Sequence, residues 1–331
     1  MKTKKIDWNP LLAILSDKKR ILITSHARPD GDALGSEFAM CLALRAQGRE
    51  AVIVNSDVLP EAFSFIDEDR GMLRIFGVDF LEEDLEKIDL AVIVDTSAKK
   101  QLPGIYEALA KKHVPIVVID HHAVGDVLTA DMFLDENAPA AGALVMDFLE
   151  FARYPITKKI AEYLFIAIST DTGWFRFPAV RPETFTQAAR LMKHGAVPSE
   201  IYVQVNESYP FARTKLIGVF ATNAVLEMDG RLAYSWITAE EFKNCGADYS
   251  ETTDMVNLLL TTKGTVAAVA FMEHERGVRI NFRSREGVNV AEIARKFGGG
   301  GHVKAAGAFL EKSLAEVIRT VLDEVRSVMV K

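Results

Sequence analysis

Short, unbroken apolar runs alternate with helical patterning through the first part of the chain. The runs, residues 21–24, 51–54, 90–94 and 116–119, are rich in Val and Ile. A strand buried on both faces of a parallel sheet has no polar side to show, so it reads as a continuous run rather than an alternation. The pattern predicts an α/β domain. Between about residues 138 and 194 it becomes mostly helical: EYLFIAIST ends on a polar turn, and PETFTQAARLMKHG closes on the helix-stopping Gly195.

Beyond residue 210 the pattern changes. Residues 226–237 and 265–282 read as two β-hairpins, with turns at Asp229-Gly230 and at residues 275–277. Helices are expected at 253–260, 290–297 and 313–330. The fold class is therefore α/β in two lobes: a parallel-sheet domain over 1–196, a connecting region over 197–212, and a smaller α+β domain over 213–331. Apart from four glycines at 298–301, no low-complexity tract or internal repeat stands out.

Composition narrows this picture. With 331 residues, 49% of them hydrophobic, the chain can fill one large core and one smaller one. Charged residues, 26% of the total, are well mixed with apolar ones, which argues against extensive disorder. The formal net charge of -7 gives no bulk attraction to long nucleic acid, so a polyanionic substrate has to be held locally. Cys41 and Cys245 stand far apart and form no Cys-x-x-Cys pair; both are expected as buried thiols. Ser16 and Asp17 break the apolar stretch near the amino terminus before signal-peptide length, and no run approaches the ~20 apolar residues of a membrane span. A cytoplasmic location is expected.

Candidate chemistry collects where strands end. ILITSHARPDGDALGSEFAMCLALRAQG is a strand, a polar loop and a helix, with His26, Asp30 and Asp32 beyond the strand's carboxyl end. Taken alone, Asp30 and Asp32 read as caps or turn formers. LAVIVDTS, however, places Asp95 at a strand end, PIVVIDHH places Asp120, His121 and His122 at another, and FIAISTDTG places Asp171 after a further apolar run. Delivered to one end of a sheet, these groups would make a like-charged cluster that cations must neutralise. Imidazole, carboxylate and water ligands suit manganese, with magnesium, cobalt or zinc as alternatives. Two such cations would clamp a phosphoryl group and ionise a water near neutral pH, which points to phosphoryl hydrolysis.

The carboxyl-terminal FGGGGHVKAAG follows a helical NVAEIARKF. Consecutive glycines expose backbone N–H groups to an anion, although a flexible linker gives the same letters. Around them lie Arg276, Arg279, Arg283, Arg285, Arg295, Lys296 and Lys304, against Glu286 and Glu292. Arg283 and Arg285 alternate along an expected strand and so share a side, ready for phosphates or simply solvated. His302 is open to stacking on a base, to a phosphate contact or to a structural role.

SHARPDGDALGS, VDTS, DHH and STDTG, in that order and followed by GGGGHVKAAG, resemble the DHH phosphoesterase family with its DHH-associated carboxyl-terminal domain. In size and in the absence of extra domains the chain is similar to the bifunctional oligoribonucleases and 3',5'-phosphoadenosine (pAp) phosphatases. The resemblance implies one metal held by His26, Asp30 and Asp95, and another by Asp32, Asp95, His121 and Asp171, with Asp95 bridging. It implies that Asp120 orients its neighbours and that His122 faces the substrate phosphate as stabiliser or proton donor. It further implies that Arg283, Arg285, Gly298, Gly299, Gly300, Gly301 and His302 bind the nucleotide, across an active-site cleft between the lobes.

The activity so implied is hydrolysis of short RNA or DNA oligonucleotides to mononucleotides, with removal of the 3'-phosphate of pAp. Linear or cyclic dinucleotide hydrolysis, RecJ-type exonuclease action, pyrophosphate hydrolysis and a non-enzymatic nucleotide sensor are the alternatives. Oligonucleotides, small nucleotides and a second copy of the chain are the partners expected; a membrane is not. Two departures from the family pattern stand out: Ala27-Arg28 in the first motif, and APAAGALV in place of a more polar stretch. Arg28 is either a phosphate contact or a surface charge.

Overall fold

The apolar runs of the first half are strands of one parallel sheet. The computed structural model describes residues 6–68, 71–122, 128, 130–285 and 287–329; Glu286 and Val330, used above, lie outside these. Two compact units divide the chain, Met1–Ser208 and Tyr209–Lys331.

In the first unit the elements run α1 (Asn9–Leu15), β1 (Arg20–Thr24), α2 (Gly31–Ala46), β2 (Glu50–Asn55), β3 (Leu73–Ile75), β4 (Leu90–Val94), α3 (Ile105–Lys111), β5 (Ile116–Asp120), β6 (Asp131–Leu134), α4 (Ala141–Phe151), α5 (Lys158–Asp171), α6 (Pro182–Lys193) and α7 (Pro198–Asn206). The sheet order is β3-β2-β1-β4-β5-β6, every pairing parallel. Ile21, Ile23, Val92 and Ile119 face one core, with α2, α4 and α5, while Leu22, Ile93 and Val118 face another, with α3. That double burial is why the sequence shows unbroken runs. β3 and β6 were not expected, being short edge strands of mostly intermediate burial. Residues 197–212, expected as a connection, hold α7, whose Ile201 and Val205 join the first core.

Three glycines set how closely α2, α4 and α5 approach. A Cβ on Gly31 would lie 2.5 Å from Thr170 Oγ1, one on Gly35 2.4 Å from the Tyr163 carbonyl, and one on Gly142 2.4 Å from the Ala167 Cβ. At Gly31 the constraint is this contact with α5.

The second unit holds α8 (Phe211–Thr222), β7 (Val225–Glu227), β8 (Leu232–Ile237), α9 (Ala239–Cys245), α10 (Met255–Leu260), β9 (Ala267–His274), β10 (Gly277–Ser284), α11 (Val290–Lys296), β11 (Gly300–His302), β12 (Ala305–Leu310) and α12 (Leu314–Met329). Both expected hairpins form, and the sheet order is β11-β12-β10-β9-β8-β7, antiparallel except between β8 and β9. Along β9, Val269 and Phe271 pack beneath α11 and α12, and Ala268, Ala270 and Met272 against α8, α9 and α10. Cys41 and Cys245 are free and buried. Among the described residues no helix is long and apolar enough to cross a membrane.

Candidate metal centre

β1 and β4 lie side by side, yet the chain leaves them toward opposite edges of the sheet. At such a switch point no crossover fills the crevice beyond the strand ends. His26 follows β1 there, Asp95 follows β4, and Asp120 ends β5 with His121 and His122 next to it. Asp95 adopts φ +59°, a left-handed conformation that Asp tolerates better than most residues, and its N–H donates to the Ile119 carbonyl at 3.0 Å.

The remaining carboxylates come from helix ends. Asp30 caps α2, accepting from the N–H groups of Asp32 and Ala33 at 3.0 and 3.2 Å. Asp32, in the first turn of α2, accepts from Ala141 N at 2.6 Å and Gly142 N at 2.8 Å, and from the Ser36 hydroxyl at 3.2 Å. It therefore caps α4, whose own cap residue Ala140 offers no side chain. This accounts for APAAGALV: small residues let α4 point its N–H groups at Asp32. Asp171 is the last residue of α5, so it reaches the cluster from a helix and not from a strand end.

The side chains converge in three groups: His26, Asp30 and Asp95; Asp32, His121 and Asp171; and Asp95, His121 and His122. Within each, one ligating atom per residue lies within 4.8 Å of the others. His26 Nε2 is 3.3 Å from Asp95 Oδ2 and 3.9 Å from Asp30 Oδ1. His121 Nε2 is 3.4 Å from Asp95 Oδ1, 3.6 Å from Asp171 Oδ2 and 3.7 Å from Asp32 Oδ2. Asp95 thus turns a different oxygen to each histidine. Asp120 Oδ1 accepts from the N–H groups of His121 and His122 and lies 2.8 Å from His122 Nδ1.

A bare cluster of this kind is costly. Two carboxylates within 4.8 Å repel by about 3 kcal/mol even at an effective dielectric constant near 20. Protons or cations must compensate. Burial pulls the two histidines down, but the Asp95 contacts and neighbouring carboxylates outweigh it, pushing His26 up to about 9 and His121 up to about 10. Burial pushes Asp171 up to about 6. Asp95 is held below the usual carboxylate range: its burial is overcome by His121 and His26.

The donor set fits cations better than protons. His26 Nδ1 lies 3.0 Å from the Ala27 carbonyl and His121 Nδ1 3.2 Å from the Ala138 carbonyl, so each Nδ1 donates there, and a cation that displaced the Nε2 proton would find a lone pair beside the carboxylates. His121 Nε2 and Asp95 Oδ1, both buried, have no hydrogen-bond partner among the described residues. A divalent cation would satisfy both atoms.

In the second unit, Arg283 Nη2 lies 3.4 Å from Asp254 Oδ1, and Arg285 Nη2 donates to the Leu260 carbonyl at 2.8 Å. Both arginines thus meet residues bounding α10. The glycine-rich segment is no linker: β11 pairs with β12, leaving His302 exposed on β11. A Cβ on Gly299 would lie 2.1 Å from the Gly307 carbonyl, and one on Gly301 2.5 Å from the Ala305 carbonyl, whereas one on Gly300 meets nothing within 4 Å. Gly298 is left-handed, at φ +73°. Gly299→Ala is therefore expected to cost roughly 1–3 kcal/mol of stability through backbone overlap, measured by urea unfolding. Gly300→Ala is expected to leave the urea midpoint unchanged, and an equal loss in both variants would refute this assignment.

Two features carried no sequence signal. Arg28 lies at φ +55°, its N–H held by Asp57 Oδ2 at 2.7 Å. Glu37, inside α2, is fully buried, and burial pushes it up to about 8. A polar residue every few positions along α2 would have hinted at the latter only if the helix had one solvent face, and this helix is buried almost all round.

A parallel α/β sheet with a His and Asp cluster at its switch point is the frame of a metal-dependent hydrolase. The chain belongs to the DHH family and is a phosphoesterase hydrolase: the DHH family, N-terminal domain model matches residues 20–168 and the DHHA1 domain model residues 229–331. Among its relatives, the bifunctional oligoribonuclease and PAP phosphatase NrnA of Thermus thermophilus is 30% identical over 311 residues, 92% of this chain and 89% of that protein. An exopolyphosphatase-related protein from Bacteroides fragilis has the same fold, with a TM-score of 0.90 at 22% identity over 98% of both chains. Exonuclease RecJ bound to manganese is more distant, with a TM-score of 0.55 at 13% identity over 98% of this chain and 94% of that one.

Proposed function

We propose that this chain hydrolyses short oligonucleotides to mononucleotides and removes the 3'-phosphate of pAp, in the cytoplasm, with two divalent cations, manganese foremost. The observation that carries this is Asp95, one oxygen toward His26 and the other toward His121. The T. thermophilus relative, by its name an oligoribonuclease and PAP phosphatase, supports the substrate class.

In this reading His26, Asp30 and Asp95 hold one cation, and Asp32, Asp95, His121 and Asp171 the other. Bound cations supply Lewis acidity to the phosphoryl oxygens and lower the pKa of the attacking water. Burial and the neighbouring Asp95 and Asp171 push the Asp32 carboxyl well above the usual range, against the two α4 N–H groups of Ala141 and Gly142 that favour its charge, so a bound cation would complete its ionisation. Asp120 orients His122 and, by that contact, raises its pKa, so the imidazolium stands ready as a proton donor. As water adds to phosphorus and the bond to the leaving ribose oxygen breaks, His122 gives that oxygen a proton. Arg283, Arg285, Gly298, Gly300 and His302 hold the nucleotide in the second unit, while Gly299 and Gly301 let β11 lie against β12.

The test is a rate comparison, with manganese, on RNA oligomers of about two to twenty-five nucleotides and on pAp. The expected result is the highest kcat/KM on the shortest oligomers, with turnover of pAp. Rates that climb with length would identify an exonuclease instead.

A further inference from the structure

Directly beyond Asp171 the chain makes a turn that its residues resist. Gly173, Trp174 and Phe175 lie in succession at φ +55°, +59° and +61°. Left-handed backbone is disfavoured for any residue with a Cβ, and more so for bulky ones. The surroundings enforce it. Trp174 N donates to the Ser169 carbonyl at 2.6 Å, and Phe175 N to the Thr172 hydroxyl at 3.1 Å. The N–H groups of Arg176 and Phe177 both reach the Thr172 carbonyl at 3.0 Å. The Trp174 ring meets Tyr202 at 4.6 Å between centroids, and Phe175 stacks on Phe185 at 5.3 Å.

What this turn presents is Phe177. Its ring lies against Gly173, where a Cβ would come within 2.5 Å of it, yet the residue remains 50% exposed. The Arg176 guanidinium stands 5.9 Å from the ring centroid, tied through Nε to the Gly173 carbonyl at 2.6 Å. Among the described residues no other aromatic ring stacks on Phe177, although rings crowd the rest of the turn. A half-exposed ring, flanked by a cation and fixed to the backbone next to Asp171, has the form of a stacking platform. Strained backbone of this kind persists where it serves a site.

We propose that Phe177, with Arg176 beside it, is the surface on which a nucleobase next to the scissile phosphate stacks. This deepens the proposed function and rests on it: the substrate must carry a base at that position, whichever base it is, because every base offers a π-face. The neighbouring cation suits the electron-rich face of the base and the phosphate chain alike.

The full chain with manganese is assayed on an RNA dinucleotide and on two analogues, each with one base replaced by an abasic ribose. Phe177→Ala is expected to raise KM on the dinucleotide about 5- to 100-fold, with Phe177→Trp restoring it. On one of the two abasic analogues the penalty should vanish. An equal penalty on all three substrates, or none on the dinucleotide, overturns the proposal; the former would mean that Phe177 serves the turn itself and not a base. Calorimetric binding of AMP and ribose 5-phosphate reports on the platform separately from turnover. Phe177→Ala should weaken AMP alone. If the wild-type chain turns over no dinucleotide, the proposed function fails, while this binding difference still decides the platform.

Discussion

Asp95→Asn is expected to lower manganese-supported turnover of an RNA dinucleotide by roughly 10³-fold, and to leave the protein with at most one tightly held cation. The reason is the division of labour on one carboxylate. Oδ2 lies 3.3 Å from His26 Nε2 and Oδ1 3.4 Å from His121 Nε2, so each oxygen belongs to a different group of ligands. Asparagine keeps the shape, and tolerates φ +59° at least as well as aspartate, so the β4 end should not rearrange. It can offer an oxygen to only one group, however, and turns an N–H donor toward the other. It also removes the charge that draws the two histidines together. Calorimetric titration with manganese gives the stoichiometry, and the same preparation gives the rate. Two cations bound at unchanged affinity, with turnover within tenfold of the parent, would remove Asp95 from the role proposed for it.

Much of this architecture was legible because burial leaves a mark on sequence. β1, β2, β4 and β5 are covered on both faces and read as unbroken runs, whereas β3 and β6 have mostly intermediate burial and left no such trace. The α/β class and the phosphoesterase chemistry followed from the runs and from the polar residues at their ends. What brings Asp171 to His121 was not legible. Its apolar run is the helix α5, and its approach depends on Gly31 and Gly35 of α2, distant in sequence from the α5 residues they contact, and on Gly142 of α4. The glycine-rich segment was read as a nest or a linker, since nothing local distinguishes glycines that admit a ligand from glycines that admit a neighbouring strand. Gly299 and Gly301 are of the second kind, and only Gly300 leaves open space without a left-handed backbone. The turn at 173–175 was hidden for a related reason. Trp and Phe carry no preference for left-handed backbone, so only the contacts around them reveal it.

Glu37→Gln is expected to stabilise the protein in alkaline solution by roughly 3–5 kcal/mol and to change little near pH 4.5. Glu37 is fully buried within α2, and Oε2 accepts from Asn55 Nδ2 at 3.0 Å at the end of β2. Burial, only partly offset by the Asn55 hydrogen bond and the nearby Ser25 hydroxyl, pushes this carboxyl from 4.5 up to about 8. The sign follows from proton counting. Between those two values the folded state keeps a proton that the unfolded state has released, so stability falls as pH rises through the window and levels off above about 8. Glutamine carries no such proton, can still accept from Asn55, and so escapes the loss. Urea unfolding of both proteins from pH 4.5 to 8.5, with chelator present so that cation binding does not enter, gives the difference directly. Two curves running parallel across that range would show that Glu37 is ionised in the folded protein. The carboxylate would then have to be held by partners in this buried region, and the absence of a pH-dependent gain in Glu37→Gln would be the evidence for them.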